Sequence, residues 1–262
     1  MNKAELLKSV KDDDERIAYA RAIDRAMDTL KCYECRFSDF MDPYKMSVLC
    51  AILNREYNFG LNTMLWGGFD DAERRMIGFF PDYEQPESKS FPIACVEISY
   101  NAKFSRELTH RDFLGSVLGL GINREKTGDI IIEDDRALMF AEAEVASFIC
   151  TNLERVGHTK VKTRLMEDCS IPAKPGEIKR ITVTSLRLDA VLSGAFNISR
   201  GKIADLIKGE KAFINWVSVT SGAKCVQQGD MLTLRGTGRV LVKEIQGLTK
   251  KERVALELEI FK

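Results

Sequence analysis

The chain has 262 residues, of which 45% are hydrophobic and 30% are charged, and its 39 Lys and Arg balance 39 Asp and Glu. This composition predicts a globular protein of two or three domains, and no apolar run is long enough to span a membrane. Seven scattered cysteines and a charged amino terminus without an apolar stretch favour the reducing cytoplasm over secretion.

Residues 1–65 are predicted to form a helical region. Asp12 to Asp14 stand where a helix is expected to begin, and the apolar residues that follow recur at helical spacing: Ile17, Ala20, Ile23, Met27 and Leu30. Asp42 before Pro43 is a second start signal. The buried face predicted for that second helix consists of Met46, Leu49, Cys50 and Leu53.

Cys32 and Cys35 form a single CxxC pair in this helical region. A tetrahedral zinc site needs two further ligands at matching spacing, and the sequence offers none. A redox CxxC is expected in a βαβ context, which the helical pattern around this pair does not provide. We therefore expect no metal and no cofactor.

Residues 66–168 are predicted to form a central domain. From Phe91 onward the pattern reads strand, helix, strand, strand, helix, strand, the order of the ferredoxin-like or RRM-like fold. Four aromatic residues are candidates for stacking on RNA bases, although such residues more often lie in a core: Phe79, Phe80, Tyr100 and Phe140. Four polar residues near the ends of the helix predicted at 109–120 are either structural or possible phosphate contacts: His110, Arg111, Arg124 and Lys126.

Residues 169–179 contain Pro172, Pro175 and Gly176 and are predicted to form a stiff linker. Beyond it, residues 180–262 begin with two predicted short helices. Ser199 stands at the N-cap of the second helix and Gly209 at its C-cap. After Lys211 the apolar period falls to about two, which predicts strands.

The carboxy-terminal region is basic. From residue 177 to the end it holds fifteen Lys and Arg against nine Asp and Glu, a net charge of +6. Because the whole chain is neutral, the preceding residues carry about −6. A basic module attached to an acidic remainder suits a phosphate-backbone partner, although an ordinary solvated surface could carry the same charge.

This carboxy-terminal stretch resembles the S4 RNA-binding domain. Six spaced elements match that family's pattern: Arg187-Leu188-Asp189, Ser199-Arg200, Gly209, Ile214-Asn215, Gly229-Asp230 and Arg235-Gly236-Thr237-Gly238-Arg239. One departure is Trp216, where the family usually has glycine; it either alters that turn or adds a stacking surface. The resemblance implies an RNA-binding set of Arg187, Ser199, Arg200, Lys202, Lys208, Lys211, Asn215, Arg235 and Arg239.

Further blocks extend the resemblance to nearly the whole chain. These blocks are GG at 67–68, AERR at 72–75, HRDFLG at 110–115, LGINREK at 120–126 and GDI at 128–130. They look like the YlmH family. The resemblance implies an α+β protein with a helical amino-terminal region, an RRM-like central domain and a carboxy-terminal S4 domain. It also implies a monomeric, non-enzymatic factor that binds rRNA or tRNA at the large ribosomal subunit, in translation or ribosome quality control.

A rival interpretation is an S4-containing RNA-modifying enzyme. A pseudouridine synthase needs a catalytic aspartate in its own domain, whereas the only Arg-Leu-Asp here, at 187–189, lies inside the S4 stretch. A methyltransferase would show a glycine-rich cofactor loop after a first strand, and none is visible. A third interpretation, an adaptor whose acidic amino-terminal helices bind a protein partner, is compatible with RNA binding.

Overall fold

The computed structural model describes residues 3–8, 10, 12–56, 61–101, 106–167, 171, 176–248 and 253–261. The chain divides into two compact units, residues 1–173 and 174–262. Helices and antiparallel sheets in both units confirm the predicted α+β class. Within the described residues, no helix is long and apolar enough to cross a membrane.

The first unit opens with helices packed on a small sheet. The helices are α1 (Lys3–Leu6), α2 (Asp13–Cys32) and α3 (Pro43–Glu56), and the strands are β1 (Arg36–Phe37), β2 (Leu61–Trp66) and β3 (Met76–Pro81). The Asp12 carboxylate accepts the Glu15 N–H at 2.9 Å, and the Asp42 carboxylate accepts the Lys45 N–H at 2.9 Å. Both helices therefore begin where the capping signals predict.

Of the five apolar residues at helical spacing in α2, Ile23 is buried, and Ala20 and Met27 pack against the same core. Ile17 and Leu30 are 49% and 37% exposed. The buried stripe of α2 consists of Tyr19, Ala22, Ile23, Ala26 and Thr29. This stripe contains two alanines, Ala22 and Ala26. Their small side chains let α2 pack closely against β3 and α3.

The region predicted as helical, 1–65, also contains strands. β2 pairs with β3 antiparallel from Leu61↔Pro81 to Trp66↔Met76, so a hairpin crosses the predicted boundary at residue 65. β1 pairs with the other edge of β3. The predicted boundary at residue 65 is wrong because β2 lies before it and its partner β3 lies after it. The helical pattern of the preceding residues gives no indication of this pairing.

The second part of this unit is a five-stranded sheet with two helices. Its elements are β4 (Ile93–Tyr100), α4 (His110–Leu118), β5 (Thr127–Ile132), β6 (Arg136–Glu142), α5 (Ala143–Asn152), β7 (Arg155–Val156) and β8 (Thr159–Met166). The strand order is β5-β6-β4-β8-β7, antiparallel throughout. With β7 as a short addition, this is the split βαβ arrangement of the ferredoxin-like fold. The helices cover one face through Phe113, Val117, Ala146 and Ile149.

The second unit is a six-stranded antiparallel sheet with a pair of helices on one face. Its elements are β9 (Glu177–Val183), α6 (Leu188–Phe196), α7 (Arg200–Lys208), β10 (Ala212–Ile214), β11 (Val217–Ser218), β12 (Met231–Leu234), β13 (Gly238–Leu248) and β14 (Val254–Phe261). The strand order is β11-β10-β12-β13-β14-β9. The core contains Leu188, Val191, Ile203, Leu232 and Leu256.

The start of this unit corrects the predicted linker of residues 169–179. Residues 168–170 and 172–175, including Pro172 and Pro175, lie outside the described residues. β9 already begins at Glu177 and pairs with β14 over seven positions, ahead of the predicted domain start at 180. The Lys179 ammonium donates to the carbonyls of Gly194 and Ala195 at 2.9 and 2.7 Å, which satisfies the end of α6.

We predict that residues 174–262 fold without the rest of the chain, because their sheet, helices and core are complete within the unit. The isolated fragment is expected to unfold in one cooperative transition, measured by circular dichroism during urea titration. A fragment that begins at residue 184, and therefore lacks β9, is the control and is expected to lose that cooperativity. A gradual, non-cooperative transition in residues 174–262 would contradict the prediction.

Candidate nucleic-acid interface

The helical pair α6–α7 carries exposed cations. The Ser199 hydroxyl accepts the Lys202 N–H at 3.4 Å, so Ser199 is the N-cap of α7. Lys202, Lys208 and Lys211 are exposed, and no ion pair joins them to another described residue. Ser199 therefore stabilises the start of α7. The three lysines have no ion pair with a described residue and can interact with an anionic partner.

Arg187 and Arg200 share one carboxylate. Each donates from Nη2 to a different oxygen of Asp189, both at 2.8 Å. Asp189 is 8% exposed. The hydrogen bond from Arg187 lowers the pKa of Asp189; burial opposes that effect, and Arg200 adds to it. The three side chains form a fixed group with a net charge of about +1.

Asn215 is used within the fold. Its Nδ2 donates to Asp230 Oδ1 at 2.8 Å, and its Oδ1 accepts the Met231 N–H at 2.9 Å. Asp230 Oδ2 also accepts the Gln227 N–H at 2.8 Å. The Asn and Gly-Asp elements of the sequence pattern therefore fasten the β10–β11 hairpin to the turn before β12.

Arg235 and Arg239 lie on the sheet face opposite α6 and α7. Phe213, Thr233, Arg239 and Phe261 are successive partners across β10, β12, β13 and β14, and the residues that alternate with them are buried in the core. The Arg235 guanidinium stands 4.6 Å from the Phe213 ring centroid, and that of Arg239 stands 5.9 Å from the Phe261 centroid. Burial lowers the pKa of Arg239. The predicted set thus divides between two faces.

Two of the four polar candidates in the central domain are used internally. Arg124 donates to the Thr127 and Gly128 carbonyls at 2.9 and 3.2 Å, and burial, with Arg74 second, lowers its pKa to about 10. Lys126 Nζ lies 2.9 Å from Asp39 and 2.6 Å from Glu142. His110 and Arg111 are exposed at the start of α4.

A partly buried charged group, formed by Arg74 and Asp129, links the two parts of the first unit. Arg74 donates to the carbonyls of Phe40, Thr127 and Arg124 at 3.1, 3.0 and 3.3 Å. The Asp129 carboxylate accepts the backbone N–H groups of Glu73 and Arg74 at 2.6 and 3.3 Å.

Burial is the main influence on the charges in this group: it lowers the pKa of Arg74 and raises that of Asp129. Partial desolvation of the imidazole ring, with the charge of Arg124 second, lowers the pKa of His110 even though the residue as a whole is exposed. Sequence reasoning missed the group, although the AERR and GDI blocks contain Arg74 and Asp129.

None of the four aromatic candidates forms a stacking platform. Phe79 and Phe80 are buried, and Tyr100 packs on Phe113 at 5.9 Å between ring centroids. Phe140 is covered by Phe69 at 5.0 Å. Gly68 permits this cover, because its φ is +103° and an added Cβ would lie 2.2 Å from Phe140.

The CxxC pair has no reactive thiolate signature at Cys35. Burial, with a hydrogen bond to Glu84 second, raises the pKa of Cys35 to about 11, so its thiol stays protonated at neutral pH. Among the residues that the structure describes, no group of three or more His, Cys, Asp or Glu is arranged to hold a metal ion.

Comparison with known proteins gives three similarities. Residues 86–168 match a family model described as "Putative RNA-binding domain in YlmH". Over 248 residues, 94% of this chain and 95% of the relative, the chain is 34% identical to ribosome-associated protein quality control protein P2 of Bacillus subtilis. The solved structure of cell division protein ylmH from Streptococcus pneumoniae covers 59% of this chain and 92% of its own, with a TM-score of 0.50 and 23% identity, a likeness of fold.

We predict that Arg74→Lys lowers the free energy of unfolding by about 2–4 kcal/mol, because an ammonium cannot reach three carbonyls that the guanidinium serves together. Urea denaturation of the full chain measures the change. Arg75→Lys is the matched control: Arg75 donates to the carbonyls of Ala72 and Asp70 within its own turn, so its loss is expected to stay below about 1 kcal/mol. Equal losses in the two variants would contradict this role of Arg74.

We predict that Asp189→Asn lowers the free energy of unfolding by about 1–2 kcal/mol at pH 7, a modest value because both arginine partners are partly exposed. The folded-state pKa of Asp189 is lowered, so its contribution is present above the unfolded pKa and disappears as pH falls through the folded value. The difference from the wild type should therefore shrink in acid. Asp205→Asn, on the exposed surface of α7, is the control; a difference for Asp189→Asn that is constant with pH would contradict the assignment.

Proposed function

Because the chain belongs to the YlmH family, we propose that it is a non-enzymatic RNA-binding protein that associates with the ribosome. The similarity to the Bacillus subtilis relative runs through both units, and that relative is named as a ribosome-associated quality control protein. The match at 86–168 adds a domain described in terms of RNA binding. We extend the proposal to rRNA or tRNA at the large subunit, with the protein acting as a cytoplasmic monomer.

The exposed lysines of the second unit carry this proposal. Lys202, Lys208 and Lys211 belong to the stretch 177–262, which has a net charge of +6, and they have no ion pair with a described residue. An ammonium that is free of an internal partner can replace the counterions of a phosphate backbone without first breaking an ion pair. We therefore assign the main phosphate contacts to these lysines and regard the unit as an S4 RNA-binding domain.

The arginines contribute differently. Asp189 holds Arg187 and Arg200 side by side and leaves the group one positive charge in excess. A guanidinium fixed in this way loses little freedom when it meets a phosphate. In this proposal the group supports recognition, while replacement of either arginine would also disturb a buried carboxylate.

The enzyme alternative receives less support. The Asp189 carboxylate, the aspartate of the one Arg-Leu-Asp element, accepts hydrogen bonds from two arginines and is largely buried. A catalytic aspartate has to reach its substrate, and this one is held by the fold. In the central domain, His110 and Arg111 are exposed and remain proposed phosphate contacts.

We predict that Lys202→Ala combined with Lys208→Ala weakens RNA binding and makes it less dependent on salt. Each lost phosphate contact should reduce the slope of log affinity against log salt by about 0.7–0.9. Fluorescence titration with structured RNA, and co-sedimentation with ribosomes at several salt concentrations, measure the effect. The matched control is Lys8→Ala with Lys31→Ala, which removes two exposed lysines from the first unit and is expected to leave the slope nearly unchanged.

The same experiment separates the alternatives. If the α7 double variant stays folded and binds with the wild-type salt slope, these lysines are not the RNA contacts. If the bound RNA carries altered nucleosides that appear only with the protein, as detected by mass analysis, the enzyme interpretation replaces the present one.

A further inference from the structure

Trp216 has a positive φ, a backbone conformation that is unfavourable for a residue with a bulky side chain. It is the second residue of the two-residue turn between β10 and β11, in which Ile214 pairs with Val217. Asn215 has φ 48° and Trp216 has φ 64°. Two positive φ angles in a two-residue hairpin loop define a type I′ turn, where glycine is the favoured second residue. A bulky side chain in this position is strained, and such strain persists where another gain offsets it.

None of the apolar clusters among the described residues supplies that gain. Trp216 belongs to none of the five apolar clusters and is absent from the partly buried residues packed against them. The other tryptophan, Trp66, packs against one of these clusters. In the same unit the rings of Phe213 and Phe261 each lie beneath an arginine. Among the described residues, no aromatic ring stacks on Trp216 and no arginine or lysine lies over its ring.

The turn that presents Trp216 is held firmly. The Asn215 side chain is bonded to Asp230 and to the Met231 backbone, so the hairpin is fixed at the residue next to Trp216. Trp216 itself is partly exposed, and Val217 after it is 45% exposed. A large aromatic ring on a fixed turn loses little freedom when a flat ligand stacks on it.

We propose that Trp216 is a stacking contact for an unpaired base of the RNA. This inference rests on the proposed function and adds to it one residue and one class of RNA structure. The phosphates bring RNA to the basic unit, and a base that is not paired can leave its neighbours and stack on an aromatic plane. The bases of a continuous duplex are already stacked on both faces, so the contact selects loops, bulges or ends.

The test uses the full-length protein and two labelled RNA probes, a hairpin with a single-stranded loop and a blunt duplex of equal length. Trp216→Gly is expected to raise the melting temperature, because glycine accepts the positive φ. It is also expected to weaken binding of the loop RNA about 5- to 100-fold and to leave duplex binding unchanged. The salt slope should stay at the wild-type value, because no charge is removed. Trp216→Phe should retain most of the affinity.

Tyr33→Gly is the matched control. Tyr33 is also an aromatic residue with positive φ, 56°, and it is 65% exposed at the end of α2 in the other unit. This variant should likewise gain thermal stability, with no change in affinity for either RNA.

Three results would overturn the inference: loop binding by Trp216→Gly at wild-type strength, an equal loss for loop and duplex, or a lower melting temperature that reveals a packing role. A wild-type protein that binds neither RNA would instead contradict the proposed function itself.

Discussion

The first unit depends on the bridge that Arg74 makes. One guanidinium donates to carbonyls of Phe40, Thr127 and Arg124, which belong to segments 34, 53 and 50 residues away in the chain. Backbone carbonyls that are buried need donors, and an unsatisfied one costs about as much as a lost hydrogen bond. Asp129 completes the arrangement by accepting the N–H groups of Glu73 and Arg74. The small amino-terminal sheet and the ferredoxin-like sheet are thereby joined by hydrogen bonds between their polar groups.

The second unit uses its polar residues in the same way. Asp189 joins α6 to α7 through two arginines, and Asn215 joins one hairpin to the Asp230 turn. Arg187, Arg200 and Asn215, which the sequence motif assigns to RNA contact, therefore also hold the elements of this unit together. Replacing Arg187 or Arg200 would also break these bonds, whereas the exposed lysines of α7 make no ion pair with a described residue, so lysine substitutions are cleaner probes of binding.

The two parts of the chain carry net charges of opposite sign. Residues 177–262 carry +6 and the residues before them −6, so a polyanion is attracted to one part of the chain and repelled by the other. Long-range attraction of this kind weakens with salt, whereas the proposed stacking of a base on Trp216 would not depend on charge. Affinity and discrimination between RNA structures would then arise from different residues of the same unit.

The sequence by itself determined the α+β class, the beginnings of the helices at Asp12, Asp42 and Ser199, and the family through its spaced motifs. These are local signals, since a cap acts within about four residues and a motif is read along the chain. Only the tertiary structure decided that Lys126 is paired with Asp39, 87 residues away, and that Phe140 lies beneath Phe69. It also decided that the boundary at residue 65 crosses a hairpin and that Arg235 and Arg239 lie on the sheet face away from α7. Such outcomes follow from which distant segments meet and which alternating face of a strand is buried, and no pattern within a single element contains that information.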